Sequence, residues 1–425
     1  MRAATPILSA PSSRSRATTT TAATTTTAAT ATTATTAAPI PWVHHGLLLV
    51  VLVTALIYGG VVALSVRHYH GNLSALIVAG DRAIGGYGRL IGHDVIIFRH
   101  TDGYDGLTYY FAADDPFLQR RVYHDVFRYQ RIGYPVAVWA ASLGQRALRP
   151  LAMVGVNIIA VLAVAYLSGL IILLWGKGTS VWWALACAVN PGLLIAVQGD
   201  LAEPLTIALS LLGLLLYIRQ RIAWAAIAFA AALLTREVAV LFIAPLVIAE
   251  VMARRWRGAV ALVLAGVPYL LWQVILAATF GHVGAQGSQG NFTLPLVGIG
   301  AVITEAGHNS LRGALVHQGS ILAVVVLVAA TLIAAFVQIR RRYDIMNGGL
   351  LAHGLAALFA GPGIWIAYTS AARVFGGIYP LTVFGFAQQR GRMFYLLVIA
   401  NVLLTLFTFI RLIAISPTLP YYVTP

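Results

Sequence analysis

From Trp42 onward the chain is a succession of apolar runs separated by short, arginine-bearing breaks. The runs are continuously apolar rather than alternating, so they read as helices and not as strands of a membrane barrel. They fall near 42–66, 132–146, 151–175, 180–198, 204–218, 222–234, 238–253, 258–280, 319–339, 348–370, 374–388 and 393–414. A helix needs about 20 apolar residues to cross roughly 30 Å of hydrocarbon, a length that several runs reach and several do not. The pattern predicts an all-α fold, a polytopic transmembrane helical bundle of about 10–12 membrane helices. Residues 132–146 and 374–388 are either partial or re-entrant pieces or full crossings, and a crossing at 374–388 is what keeps Arg390/Arg392 inside.

Two stretches depart from the pattern. Residues 1–40 are an Ala/Thr tract with almost no large apolar side chains, which predicts a disordered tail. The first run is too long for a signal-peptide core, so it reads as a retained anchor. Residues 67–131 form a polar segment with seven of the thirteen acids and eight arginines, a large first loop on a single membrane domain covering 41–425.

Composition agrees: 59% of residues are apolar and 10% charged, with a mean hydropathy of +0.83, against about 25% charged in soluble proteins. The net charge of +15 comes almost wholly from arginine, Lys177 being the one lysine. These arginines sit between apolar runs, which orients a membrane protein and argues against nucleic acid as a partner. The lone Cys187 excludes a disulfide within the chain.

Threading from a cytoplasmic N-terminus, with 132–146 not crossing, segregates the charges. Lys177, Arg219/Arg221, Arg254/Arg255/Arg257, Arg340/Arg341/Arg342 and Arg390/Arg392 fall inside. The first loop, Asp200 and Glu203, Thr235-Arg236-Glu237, the loop 281–318 and Arg373 fall outside. Long loops escape the charge rule, so the first loop's arginines do not conflict with this.

The outer set holds the candidate chemistry. His100 to Phe117, HTDGYDGLTYYFAADDPF, carries four aspartates and three tyrosines in an acid-poor chain. Gly103-Tyr104-Asp105-Gly106 predicts a turn, and Leu107 to Ala113 a short amphipathic helix with Asp105 near its start. A carboxylate there is stabilised as an anion by the helix dipole by roughly 0.3–1 kcal/mol and suits a general base, with Asp102 in reserve. Plain capping by Asp105 and a plain turn at Asp114-Asp115-Pro116 explain the same spacing. Tyr104, Tyr109 and Tyr110 either line a sugar or headgroup site or anchor at the membrane interface.

Asp200 reads as a helix cap before Pro204. Glu203 is harder to explain so, because a second acid at a membrane boundary is costly without a partner or a cavity. Arg236 and Glu237 are either an ion pair at a hairpin tip or a guanidinium presented to phosphate and oriented by the acid. Arg373, isolated beside the Gly376-Gly377 break, either snorkels or joins that site. His100, Asp102 and Asp105 could hold a divalent metal ion, although their spacing is not specific, and no cofactor is otherwise indicated. Residues 281–290, rich in Gly and Gln, suit a lid or a linker. Nucleotide-binding glycine loops, His-Glu-x-x-His and serine elbows are lacking from the sequence.

The stretch Gly103-Tyr104-Asp105-Gly106-Leu107-Thr108-Tyr109-Tyr110 with Ala112-Ala113-Asp114-Asp115-Pro116-Phe117 resembles the GYDGQxYYxxAxDPF pattern of bacterial polytopic membrane proteins related to GT-C-type glycosyltransferases. It is similar also to the Trp-Asp-Gly first loop of GPI mannosyltransferases, with Tyr104 for Trp. Arg131-Ile-Gly-Tyr134-Pro135, Asn190-Pro191, Glu203-Pro204-Leu205 and Leu234-Thr235-Arg236-Glu237 match later landmarks in order. The likeness covers roughly 95–240 and departs at Leu107, where Gln is usual. It implies a GT-C fold in a bacterial plasma membrane, with the active site extracytoplasmic. A polyprenyl-phosphate sugar would be the donor, and a glycan, lipid or protein the acceptor. By motif, Asp105 is the loop acid, Glu203 the acid before Pro, and Arg236 the TRE arginine. The expected activity is inverting transfer with Asp105 as base and Arg236 and Arg373 on the leaving phosphate. Two rival readings are a transporter or flippase of a lipid-linked glycan or anionic solute, and a catalytically dead assembly protein.

Overall fold

The structure, a computed structural model, describes residues 41–412 except 122, 177, 289 and 307–317. The disorder expected for 1–40 and the placement of Lys177 lie outside the described residues. The described chain is almost entirely helical. Its long helices are α1 (Pro41–Val66), α5 (Arg149–Trp175), α14 (Gly319–Arg341) and α18 (Arg392–Ile410). Between the first two lie α2 (Asp105–Ala112), α3 (Val126–Tyr129) and α4 (Gly133–Ala141). Beyond α5 come α6 (Ala184–Ala188), α7 (Pro191–Gln198), α8 (Glu203–Ile218), α9 (Ile222–Thr235) and α10 (Val240–Met252). The remainder are α11 (Trp256–Leu264), α12 (Val267–Phe280), α13 (Val297–Ala306), α15 (Ile345–Leu358), α16 (Tyr368–Val374) and α17 (Ile378–Gln389).

Five helical stretches are long and apolar enough to cross a membrane, and six if the bent pair α6–α7 is one span, so this is a multi-pass helical bundle. That count is below the ten to twelve expected. The reason is length: α8, α9 and α15 have 16, 14 and 14 residues, and at about 1.5 Å per residue they fall short of a 30 Å core. Asn190 caps α7 by accepting the Leu193 N–H, Pro191 opens the helix, and the pair bends by 50°. The single run expected over 348–370 is broken. α15 ends at Leu358, and Gly361-Pro362 starts a separate turn before α16, as proline requires.

The first loop is a built structure and not a strap. Two residue pairs form a small parallel sheet, β1 (Ala79–Gly80) against β2 (Ile97–Phe98). Tyr109, Phe111, Tyr123 and Tyr129 share a buried cluster with Met153 of α5, Ala196 of α7 and Leu276 of α12, which seats the loop on the bundle. Gly103 (φ 73°) turns the chain under the Val78 carbonyl, where a side chain would collide. Gly106 presses the start of α2 onto the bundle: a Cβ there would lie 2.6 Å from the Gly199 carbonyl oxygen. The glycines of the GYDG turn therefore dock the loop on the end of α7.

Charge also separates along the bundle. Trp175, Gln220, Arg255, Arg341, Arg342 and Gln389 border one cavity, while Asp105, Arg236 and Arg373 border another. Of these, Arg255, Arg341 and Arg342 belong to the set that threading placed inside, and Asp105, Arg236 and Arg373 to the set that it placed outside.

Candidate functional site

Asp105 opens α2 with its carboxylate facing two arginines. Arg128 of α3 reaches one oxygen at 2.7 Å and Arg373 of α16 the other at 2.8 Å. Arg373 also donates to Glu203 Oε1 at 2.8 Å, and Arg236, which follows α9, reaches the same oxygen. Glu237 takes both forks of Arg131, at 2.7 and 3.0 Å. Seven charged side chains drawn from five parts of the chain thus form a cluster of four guanidinium groups and three carboxylates.

Six of the seven line a cavity of about 460 Å³, and Glu203 stands behind its wall. Tyr104, Phe127, Tyr269, Asn291, Phe292 and Ser370 are also among the lining residues. The Arg373 guanidinium lies over the Tyr104 ring at 5.3 Å, and those of Arg128 and Arg131 over Phe127 at 5.0 and 4.8 Å. Arg236 Nε, Arg373 Nε and Glu203 Oε2 are buried without a hydrogen-bond partner. Four fixed cations against three anions leave an excess positive charge, and the unsaturated N–H groups give it direction. Planar guanidinium forks match phosphate oxygens and stay charged in a partly desolvated place.

Electrostatics at Asp105 follow from its neighbours. Burial alone would raise its carboxyl, but Arg128, Arg373 and Arg131 outweigh burial and hold it below the ordinary carboxylate range. With both oxygens engaged it is an anchored anion and, in this arrangement, a weak base.

Comparison with family models, with curated proteins and with solved structures finds no match. The functional reading rests on the residues themselves.

Of the residues singled out from sequence, Tyr104, Asp105, Glu203, Arg236, Glu237 and Arg373 come together here. Three do not. Asp102 is exposed on the turn and outside the lining. Tyr109 is fully buried, its ring edge-to-face with Tyr134 at 5.3 Å. Tyr110 is buried too: its hydroxyl accepts the Gly92 N–H, and Arg149 lies over its ring at 4.8 Å. Neither tyrosine lines the cavity, because both are buried in a cluster that joins the first loop to the bundle through Tyr134, Met153, Ala196 and Leu276.

Arg128 was not singled out, and Arg131 was named only within the Arg131-Ile-Gly-Tyr134-Pro135 landmark, with no role. The signal was present: two arginines three apart, after Asp125, which caps α3 by accepting the Arg128 N–H at 3.1 Å. Asp200 does not cap α8, whose N-cap is Ala202. It is fully buried with φ 50°, accepting one hydrogen bond from Asn157 at 3.4 Å. Asp114 is more than a turn residue, since it binds Arg146 and Arg149 at 2.9 and 2.7 Å as well as Arg120. Asp115 does form the turn, accepting the N–H groups of Gln119, Arg120 and Arg121.

His100 and Asp102 are exposed while Asp105 is turned into the arginines. Among the described residues no group of three or more His, Cys, Asp or Glu could hold a metal ion. The 281–290 segment lies on α3: Gly284 packs on Gln130, and Gly287 on Phe127.

Proposed function

We propose that this chain is a membrane glycosyltransferase of GT-C type. It would move a sugar from a polyprenyl-phosphate donor to a hydroxyl acceptor at the extracytoplasmic face. The observation that supports this reading is the four-arginine cavity, with its buried, unsaturated N–H groups and a carboxylate at its edge. Arg236 and Arg373 take the donor phosphate, with Arg128 and Arg131 facing them. Glu203 and Glu237 orient those arginines.

The acceptor oxygen attacks the anomeric carbon as the bond from that carbon to the phosphate oxygen breaks, inverting its configuration. Asp105 receives the acceptor proton, and polyprenyl phosphate leaves as the anion on the arginines. The two arginines on Asp105 make its role conditional. A bound phosphate competes for Arg128 and Arg373, draws them off the carboxylate and restores its basicity. Base and donor are thereby coupled: Asp105 becomes effective only when the phosphate is in place.

The test is transfer from a polyprenyl-phosphate sugar by the purified full chain. Loss of roughly 10²–10⁴-fold in turnover is expected for Asp105→Asn, the range a general base contributes. Turnover like that of the wild type in Asp105→Asn would remove Asp105 from the mechanism, and solute flux without transfer would favour a transporter.

A further inference from the structure

The second large cavity lies at the opposite, arginine-rich end of the bundle and takes no part in the proposed reaction. We propose that it is a binding site for the hydroxylated phosphate headgroup of an anionic membrane phospholipid. Its volume is about 890 Å³. Trp175 and Arg341 on its wall close the 27-residue α5 and the 23-residue α14, helices long enough to span a membrane. The cavity therefore sits where spanning helices leave the hydrocarbon, at headgroup depth.

Its charge is not internally matched. Arg255 is tied to the buried Glu250 at 2.7 Å, and Glu250 also accepts from the Tyr217 hydroxyl at 2.7 Å. Arg341 and Arg342 are exposed on the wall and form no ion pair among the described residues. Asp344 also lines the cavity, but its oxygens are occupied. One caps α15 through the Met346 and Asn347 N–H groups, and the other accepts from Gln388 at 2.9 Å. Two free guanidinium groups beside a saturated acid select a phosphate.

The inner wall specifies more than charge. Trp175 Nε1, Asn347 Oδ1 and Gln388 Oε1 are buried without hydrogen-bond partners, and all three residues line this cavity. One orphan donor and two orphan acceptors suit hydroxyl groups, each of which donates and accepts. A glycerol phosphate head satisfies both the guanidinium rim and this wall. The acyl chains have a path as well: Met252 lines the cavity, and with Ile248 and Val251 it is 64, 49 and 40% exposed along α10. A soluble phosphate has no use for that apolar strip, which favours the lipid. Basic pockets between membrane helices on the cytoplasmic side are suited to such heads.

Native mass spectrometry of the purified full chain tests this with phosphatidylglycerol, phosphatidate and phosphatidylcholine of identical acyl chains. Phosphatidylglycerol is expected to stay bound where phosphatidylcholine is lost. The double variant Arg341→Gln/Arg342→Gln should weaken its retention roughly thirtyfold, at about 1 kcal/mol per arginine. Arg254→Gln/Arg257→Gln, which removes the same charge from the exposed surface outside the lining, should leave retention unchanged. Trp175→Phe should narrow the preference for phosphatidylglycerol over phosphatidate. Equal retention of the three lipids, or equal loss in the two double variants, would overturn the proposal. Free glycerol phosphate binding as tightly as phosphatidylglycerol would assign the cavity to a soluble phosphate and overturn the lipid reading.

Discussion

Two clusters of arginine and carboxylate involve the first loop, and they are built in opposite ways. In the first, Asp114 is saturated by Arg120, Arg146 and Arg149, all within 35 residues of it. Arg149 also donates to the Tyr110 carbonyl, so this cluster staples the first loop to the start of α5. In the second, Asp105 and Glu203 share Arg373, which lies 268 and 170 residues further along the chain. That cluster faces a cavity and leaves buried N–H groups unused. A buried ion pair is therefore no mark of function in itself. Distance along the chain and an adjoining cavity separate the site from the staple, whereas a buried N–H without a partner does not, since Arg149 Nε in the staple is one too.

The largest effect expected from this contrast is a split between stability and turnover. Removing one partner of a buried pair costs about 3–5 kcal/mol, so Asp114→Ala and Glu203→Ala should both lower the unfolding midpoint. In the fraction that folds, Asp114→Ala should keep wild-type turnover while Glu203→Ala should lose it. Equal loss in both would erase the distinction between staple and site. Next is Arg373→Lys, which keeps the charge and loses the fork. A loss of roughly 10²-fold in turnover is expected, comparable to deleting one donor to a developing anion, and the unfolding midpoint would barely move.

Smaller is the pH effect. The Asp105 pKa is depressed in the folded protein, so its ion pairs contribute stability that is fully present above the ordinary value of about 3.9 and is lost as pH falls through the lower folded value. Between pH 7 and 5 the unfolding midpoint should differ little between wild type and Asp105→Asn in its pH slope. A steep slope present only in the wild type would contradict the depressed value. The smallest effect is expected for Tyr110→Phe, which removes the hydroxyl that accepts from Gly92. It should cost about 1 kcal/mol and leave kcat and KM unchanged, whereas a change in KM would return Tyr110 to the site.

Much of the site was legible because charge is scarce in this chain. Glu203, Arg236, Glu237 and Arg373 stand at the ends of apolar runs, where each needs a reason to be there. Inside the first loop that argument fails. With eight arginines and seven acids between 67 and 131, scarcity no longer separates Arg128 from Arg120, or Asp114 from Asp105. Only three-dimensional pairing does so. Likewise Tyr109 and Tyr110 are amphipathic residues whose place depends on the loop packing against Met153, Ala196 and Leu276 of distant helices, which no local pattern in 67–131 announces. The break in 348–370 was marked by Gly361-Pro362 and is a matter of local backbone chemistry. The buried position of Asp200 depends on Asn157, on a different helix, and no local pattern announces it.

Because Arg373 is the shared partner of Asp105 and Glu203, the charge balance of the site is completed only late in synthesis. When Glu203 enters the membrane, its first arginine is 33 residues behind and its second 170. A chain truncated before α16 leaves Asp105 with Arg128 alone and Glu203 with Arg236 alone. Arg373 thus makes the site depend on the whole chain: its pairings with Glu203 and Asp105 exist only once residues 170 and 268 positions apart have been brought together.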